Sequence, residues 1–518
     1  MFSKRHYERG TELLRLCNLS ASPTGTPVQR AVYCFGEALR ERNNKEKGTL
    51  APNRPEGGEE KPFDLEEVLQ IPKPLAFVCY QSSPFFQVPQ FAGIQAILDN
   101  IKSENRVHLI DIGIKIGSHW AVLMQALPNI DLGLSPQVKK EVELSLLLLV
   151  SAEMLANRQL DCARKLLNLC INFSLSAGNP VQRVVYYFAE SLRRRIDKVA
   201  GIPTIAANID AVNPNNMEEV LMDPRTDVIE TEQMLPFRKV TQFTGIQAIM
   251  DSIKSFKRIH LIDLGIKTGS QWTILMQALV GNGECPLELL KITAVGTSLI
   301  RMQEVGKRLT SFADTLDIPF SFKTVISDLR NINKDLFESK VGEVVAIYAD
   351  SRLWTLLAWP NHLQSLIQVI KSLDPCVMVV TEIEANTNTP IFNDRFNEAL
   401  FYYSAIFDSL ETCIGWNHNH RAVAQGVYLG KIIENVITSE GEEMVHRHEK
   451  LGSWRALFEG FGIEETELSH SSLFQAKLLA EKSACYGFCS LEMDGKSLII
   501  KWKGTPIKSL SAWKFHHV

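Results

Sequence analysis

Asp263, Gly265 and Gly269 stand in the stretch IHLIDLGIKTGSQW as D-x-G-x-x-x-G. An apolar run ends there in a carboxylate and passes through two glycines into the start of a helix. In an open α/β sheet such a turn lies at the carboxyl edge, where ligands bind, and glycine lets the backbone approach them closely. The chemistry on offer is recognition of a cofactor by a strand-end carboxylate and a bare turn.

The same loop resembles the first loop of S-adenosylmethionine-dependent methyltransferases. It departs from that pattern in two respects. Ile266 and Lys267 stand between its glycines, and the next apolar run, KITAVGTS, brings no carboxylate to hold ribose hydroxyls. Asp328 in VISDLRN and Asp350 fall at the ends of two later runs, where an aspartate is expected to cap a helix or brace a turn. A small-molecule-binding protein or methyltransferase using Asp263, Gly265 and Gly269 is therefore the alternative reading. An open polar pocket beyond Asp263 would favour it; a loop filled by Ile266 and Lys267 would count against it.

Other reactive side chains are sparse. His446 and His448 in HRHE sit two apart, which does not place two ligands on one helix face, and the histidines of WNHNHR are similarly local. Both groups are expected as solvated surface histidines. Cys485 and Cys489 in CYGFC have no second pair at zinc-finger spacing. G-x-S-x-G, P-loop and H-E-x-x-H motifs are absent. No catalytic residue, no metal site and no cofactor are expected.

The elements that would position the loop can be read from periodicity. From Ile259 onward short apolar runs alternate with amphipathic stretches: IHLIDL, KITAVGT, FSFKTVI, EVVAIYA and CVMVVTEI, separated by segments such as GSQWTILMQALV and HLQSLIQVIKSL. Continuous β-branched runs between helices predict a doubly wound parallel sheet covered on both faces. Asp494-Gly495 in LEMDGKSLIIKWKG predicts a hairpin, hence an antiparallel edge. Within this frame His260 is expected as a satisfied core histidine and Asp263 as a brace for the turn. Gln271, at the start of the helix that follows, is assigned to structure. Trp272 should pack the first helix on the sheet, and Trp502 and Trp513 should be core aromatics on late strands.

Before the sheet the chain reads as helix. Leu148, Ala152, Leu155, Cys162, Leu166 and Leu169 fall on a 4-3 spacing that predicts one apolar stripe, interrupted at Gln159. Leu148 and Leu155 on that stripe are candidates for partner contact. So are Arg193, Arg194 and Arg195, a triple-Arg run that could meet phosphates or an acidic partner.

The loop has a near-copy in the same chain. VHLIDIGIKIGSHWAVLMQAL, from Val107 to Leu127, is identical to Ile259–Leu279 at 15 of 21 positions. Glu12–Arg42 likewise parallels Lys165–Arg195, and Gln90–Ser103 parallels Gln242–Ser255. Two domains are expected: a truncated copy over residues 1–131, with a charged Pro/Gly-rich insert at about 43–62, and a complete copy over 140–518. The complete copy divides into a helical cap at about 140–255 and a sheet-bearing core at about 256–518. One strand of the first copy cannot bury its two faces alone, so that copy should be an appendage.

Bulk properties fit a soluble intracellular protein. Of the 518 residues 45% are hydrophobic, the formal net charge is -4, and ten cysteines are scattered without a disulfide framework. Near-neutral charge gives no global field for autonomous nucleic-acid binding.

Several segments, in order, resemble the motifs of the GRAS family of plant transcriptional regulators. IHLIDLG is similar to its VHIID motif, Arg301–Lys323 to its second leucine-rich region, and Val142–Cys170 to its first. Asn388–Thr412 resembles the PFYRE region. Gly487–Phe515, with Ser511, Ala512 and Trp513, is similar to the closing SAW motif. The resemblance spans about residues 140–515. It implies a Rossmann-like, methyltransferase-related core with a helical cap, and no established enzymatic activity. It further implies action in the nucleus through complexes with other GRAS proteins or with DNA-binding factors such as zinc-finger proteins. The acidic N-terminal motifs of the gibberellin-responsive DELLA branch are absent from this sequence, so hormone-receptor binding of that kind is not expected.

Overall fold

The structure is a computed structural model. It describes residues 135–202, 234–281, 286–414, 418–483 and 487–515, with Arg15, Tyr33, Thr231 and Cys485. Apart from Arg15 and Tyr33, the expected truncated copy and its insert lie outside the described residues.

The cap begins where Ser135 caps α1 (Pro136–Ala156), its Oγ accepting from the Val138 N–H, with proline at the first helical position. The single stripe expected, interrupted at Gln159, divides at that interruption into two differently phased faces. The chain breaks at Asn157–Gln159, with Arg158 in the left-handed region at φ 58, before α2 (Leu160–Phe173) resumes. That reversal resets the helical phase. On α2 the buried face is Ala163, Leu167 and Cys170, while Cys162 and Leu169 are exposed. An Asn179–Gln182 capping box starts α3 (Pro180–Val199), which buries Val185, Phe188, Leu192 and Ile196. Next, α4 (Pro236–Ile253) is buried nearly all round. Gly245 eases this close approach: a Cβ there would press on the Tyr348 and Val379 side chains at 3.3 Å, tighter than ordinary contact.

The core follows in chain order: β1 (Arg258–Asp263), α5 (Ser270–Val280), β2 (Leu289–Gly296), α6 (Leu299–Thr315), β3 (Phe320–Ile326), β4 (Val344–Asp350), α7 (Pro360–Ser372) and β5 (Val377–Ile383). Then come α8 (Phe392–Ile414), α9 (His418–Val423), a π-turn at Ala424–Leu429, α10 (Gly430–Thr438), α11 (Leu451–Gly460), β6 (Ile463–Thr466), α12 (His470–Lys482), β7 (Cys489–Asp494), β8 (Ser497–Trp502) and β9 (Thr505–Phe515).

Among the described residues nine strands form one sheet in the order β3-β2-β1-β4-β5-β9-β8-β7, with β6 also on β9. β1 to β5 are mutually parallel where they pair, and β9 runs antiparallel to β5. Strand order reverses between β1 and β4, which makes that point the crevice of an open α/β sheet. Gly495, at φ 60, opens the two-residue loop joining β7 to β8. The parallel strands alternate between two cores: Ile259 and Leu261 face α4 and α5, while Ile262 joins Ile347 and Val380 beneath α7. A mixed α/β fold with an antiparallel edge is the architecture the alternating runs predict.

Candidate functional site

The loop at the switch point is occupied by its own protein. Asp263, 1% exposed, accepts three hydrogen bonds: from Gly265 N–H to Oδ1 at 3.0 Å, and from Gln271 Nε2 and Trp272 Nε1 to Oδ2 at 3.1 and 2.9 Å. Burial pushes its carboxyl up to about 6, with those donors pulling the other way. Both carboxylate oxygens are thus engaged, Oδ1 within the turn and Oδ2 with α5. Trp272 stands edge-on to Tyr348, ring centroids 5.3 Å apart, and so pins α5 to the sheet.

Gly265 is bare, but the side chain of Arg352 lies where a ligand would approach; a Cβ on Gly265 would fall 2.3 Å from it. Gly296, at the end of β2, is likewise covered by the Met302 sulfur. Gly269 takes φ 70 before α5, and Ile266 is buried. The space between Gly265, Ile266 and Gly296 is about 30 Å³, enough for about two waters and far too little for an adenosyl group. Asp263, Gly265 and Gly269 are together in space, as the spacing predicts, yet their arrangement is that of a braced turn. Asp328 caps the short helical turn after it and pairs with Arg330.

His260 is buried on β1 with both ring nitrogens matched, to Thr293 Oγ1 at 2.8 Å and Ser339 Oγ at 3.2 Å. Burial holds its pKa down at about 4. Trp502 donates to Asp408 at 2.6 Å and Trp513 to Ser511 at 2.8 Å; both rings are fully buried.

His446 and His448 are not solvated. Both are buried, their Nε2 atoms 3.2 Å apart, and both stand edge-on to Trp354 at centroid distances of 4.4 and 5.3 Å. The backbone explains the error: His446 N–H donates to Asn435 Oδ1 and His448 N–H to Thr387 Oγ1, so tertiary bonds fold this polar segment inward. Burial pushes His446 down to about 3 and His448 well below its ordinary range. Among the described residues no cluster of three or more His, Cys, Asp or Glu could hold a metal.

The partner candidates are also redistributed. Leu148 and Leu155 are buried in the core and offer no free surface. Of the triple-Arg run, Arg194 pairs with Glu434, and Arg195 bonds Ile437 O and Glu440 while lying over the Phe392 ring. Both therefore clamp α3 to α10 and its flank. Arg193, paired with Glu190, is the most exposed of the three.

Sequence reasoning missed the ionic interior at the carboxyl edge. Arg238 on α4 forms a buried ion pair with Asp350, and Lys508 of β9 lies 3.9 Å from the same carboxylate and bonds Ser351 Oγ at 2.9 Å. Glu382, fully buried, accepts the backbone N–H groups of Arg352, Leu353 and Trp354. Arg395, also fully buried, ties α8 to Val436 O, Thr389 O and Glu440. No local signal marks these residues, because each partner comes from a distant part of the chain.

The family model described as "GRAS domain family" matches residues 1–139 and 144–514. The chain is 32% identical over 375 residues to the DELLA protein RGL1 of Arabidopsis thaliana, covering 72% of this chain and 70% of that one. It is also 32% identical over 371 residues to the DELLA protein RGL3 of the same plant, covering 71% and 68%. A crystal structure of SCL7 in Oryza sativa superposes with a TM-score of 0.60 at 27% identity, covering 68% of this chain and 94% of that one.

Proposed function

The chain belongs to the GRAS domain family, and on that premise we propose that it is a plant nuclear regulator of transcription that works through protein–protein complexes. Its partners are other GRAS proteins or DNA-binding factors such as zinc-finger proteins, and its hold on DNA is indirect. Family membership carries the reading. The geometry supports it against the methyltransferase alternative, since the loop at Asp263 is closed by Arg352, Gln271 and Trp272. No catalytic role is assigned to any residue.

The cap supplies the surface for partners. Val138 on α1, Leu169 and Phe173 on α2, and Leu175 after it are exposed. Gln182 Nε2 bonds Phe173 O, and Asn179 Nδ2 bonds Glu141 Oε1. These bonds bring the start of α1, the end of α2 and the start of α3 to one end of the cap, so the exposed apolar groups share it. Exposed apolar groups gathered at one place mark an interaction surface. We also retain residues 1–131 as a partial copy appended to a complete one that begins near residue 140, supported by the two separately matched segments.

The test is a pairwise binding assay of the full chain with GRAS-domain and zinc-finger partners, alongside a transcriptional reporter. Phe173→Asp with Leu175→Asp should abolish pairing and the reporter response while circular dichroism stays unchanged. Wild-type chain that pairs with neither class and leaves the reporter untouched would overturn the proposal.

A further inference from the structure

A cavity of about 110 Å³ lies beyond the carboxyl ends of β4 and β5, between the sheet and the helices of the cap. It adjoins the filled corner at Asp263, with Lys267 and Arg352 lining both, and its walls come from elements distant in sequence. Phe237 and Arg238 of α4 form one side, Tyr403, Ile406 and Leu410 of α8 another, and Leu429 with Ile432 close it. The last wall is built partly from the π-turn at Ala424–Leu429. Such turns are uncommon and recur at functional sites.

Two buried polar groups on this lining have no hydrogen-bond partner: the hydroxyl of Tyr403, 1% exposed, and Nδ1 of His446, 2% exposed. A buried polar group left without a partner is unfavourable, so two residues of one lining that carry such groups point to a ligand. The His446 ring shares one proton with His448 through their Nε2 atoms. Its Nδ1 is therefore a fixed donor or a fixed acceptor, not solvent-adjusted.

The charge of the lining is one-sided. Arg238, Lys267, Arg352 and Lys508 contribute to it, and among the described lining residues there is no carboxylate. Arg238, Lys508 and Lys267 all act on the single buried carboxylate of Asp350, so the cations beside the cavity outnumber that carboxylate in a low-dielectric setting. Apolar walls select an apolar body, and the surrounding cations disfavour a cationic head and favour an anionic one.

We propose that this cavity binds a small, largely apolar carboxylic acid. Its ring or chain lies against Phe237, Ile406, Leu410 and Ile432, and its head meets Tyr403 and the cationic side. Because the lining joins α4, α8 and β9, an occupant bridges cap and sheet.

Ligand-observed NMR with the full chain tests this, using cyclohexanecarboxylate and benzoate as probes against their primary amides. The acids should bind saturably below millimolar, at least ten-fold tighter than the amides. Tyr403→Phe should weaken the acids about five-fold without lowering the thermal midpoint, since the variant removes an unpaired hydroxyl. Leu429→Trp, which fills the cavity, should abolish binding. Absence of saturable binding to wild type at 5–10 mM probe would overturn the proposal, as would affinities unchanged by Tyr403→Phe. Equal affinity for acids and amides would overturn the acidic class. If Leu429→Trp fails to fold, the Tyr403→Phe and amide comparisons decide alone.

Discussion

Trp272 donates its indole N–H to Asp263 Oδ2 across 2.9 Å, with both side chains screened from water. This bond turns a loop of cofactor-binding shape into a structural brace. All three contacts on Asp263 come from donors, so an amide in its place would set an N–H₂ against another N–H. Asp263→Asn should therefore destabilise the fold by about 2 kcal/mol despite equal size. Urea unfolding followed by tryptophan fluorescence should show a lower midpoint at an unchanged slope. A midpoint within error of wild type would mean that the carboxylate does not hold the turn.

Arg238 and Asp350 close the next site along the edge. Burial would raise the Asp350 carboxyl, but Arg238, Lys508 and Lys267 together hold it well below the usual carboxylate range. A folded-state value that low means stability present above the unfolded carboxylate range and lost as pH falls toward the folded value. Removing Arg238 leaves the buried carboxylate only the weaker compensation of Lys508 and Lys267, so Arg238→Met should cost about 3 kcal/mol, the low end for breaking a buried pair. Arg238→Met with Asp350→Leu removes both charges and should recover most of that loss. The double-mutant cycle checks it: additive losses would show that the two residues do not interact.

The strands were legible because continuous apolar runs such as VVAIYA and VMVV leave few alternatives to a buried parallel sheet. Even β3 matches its run residue for residue, at Phe320–Ile326. The first leucine-rich stretch was misread because spacing alone does not reveal a left-handed Arg158 that breaks the helix. His446 and His448 were misplaced for a different reason. Their segment is polar, and only tertiary bonds to Asn435 and Thr387 draw it inside. The closed state of the Asp263 loop was invisible for the same reason, since Arg352 arrives from the end of another strand.

Glu382 bears on pH dependence in the alkaline direction. Burial raises its carboxyl to about 8, with the backbone N–H groups of Leu353 and Trp354 and the charge of Lys508 opposing. A raised folded value gives stability that is full below the unfolded pKa and lost as pH rises through about 8. At neutral pH the group is mostly the neutral acid, so Glu382→Gln should cost under about 1 kcal/mol, whereas Glu382→Ala orphans three N–H groups and should cost about 3. Between pH 7 and 9, wild type should lose stability and Glu382→Gln should not. Parallel pH profiles for the two would refute the assignment.

The histidine pair governs the acid side. Burial holds His446 at about 3 and His448 well below its ordinary value, so both stay neutral in the fold while the unfolded chain protonates near 6.5. A lowered histidine therefore contributes stability that is complete above about 6.5 and lost as pH falls from there toward the folded value, by about 1.4 kcal/mol per pH unit per group. Asp263 and Glu382, with raised values, oppose this over the same window, so the net slope of wild type is shallower than the histidines alone would give. The difference between two proteins isolates them. His448→Leu removes one such proton uptake from the unfolded state, and its stability profile between pH 6.5 and 4.5 should fall less steeply than that of wild type by about one proton's worth. Denaturant midpoints across that range supply the comparison. An unaltered slope would place the His448 ring in contact with water, contrary to its packing on Trp354.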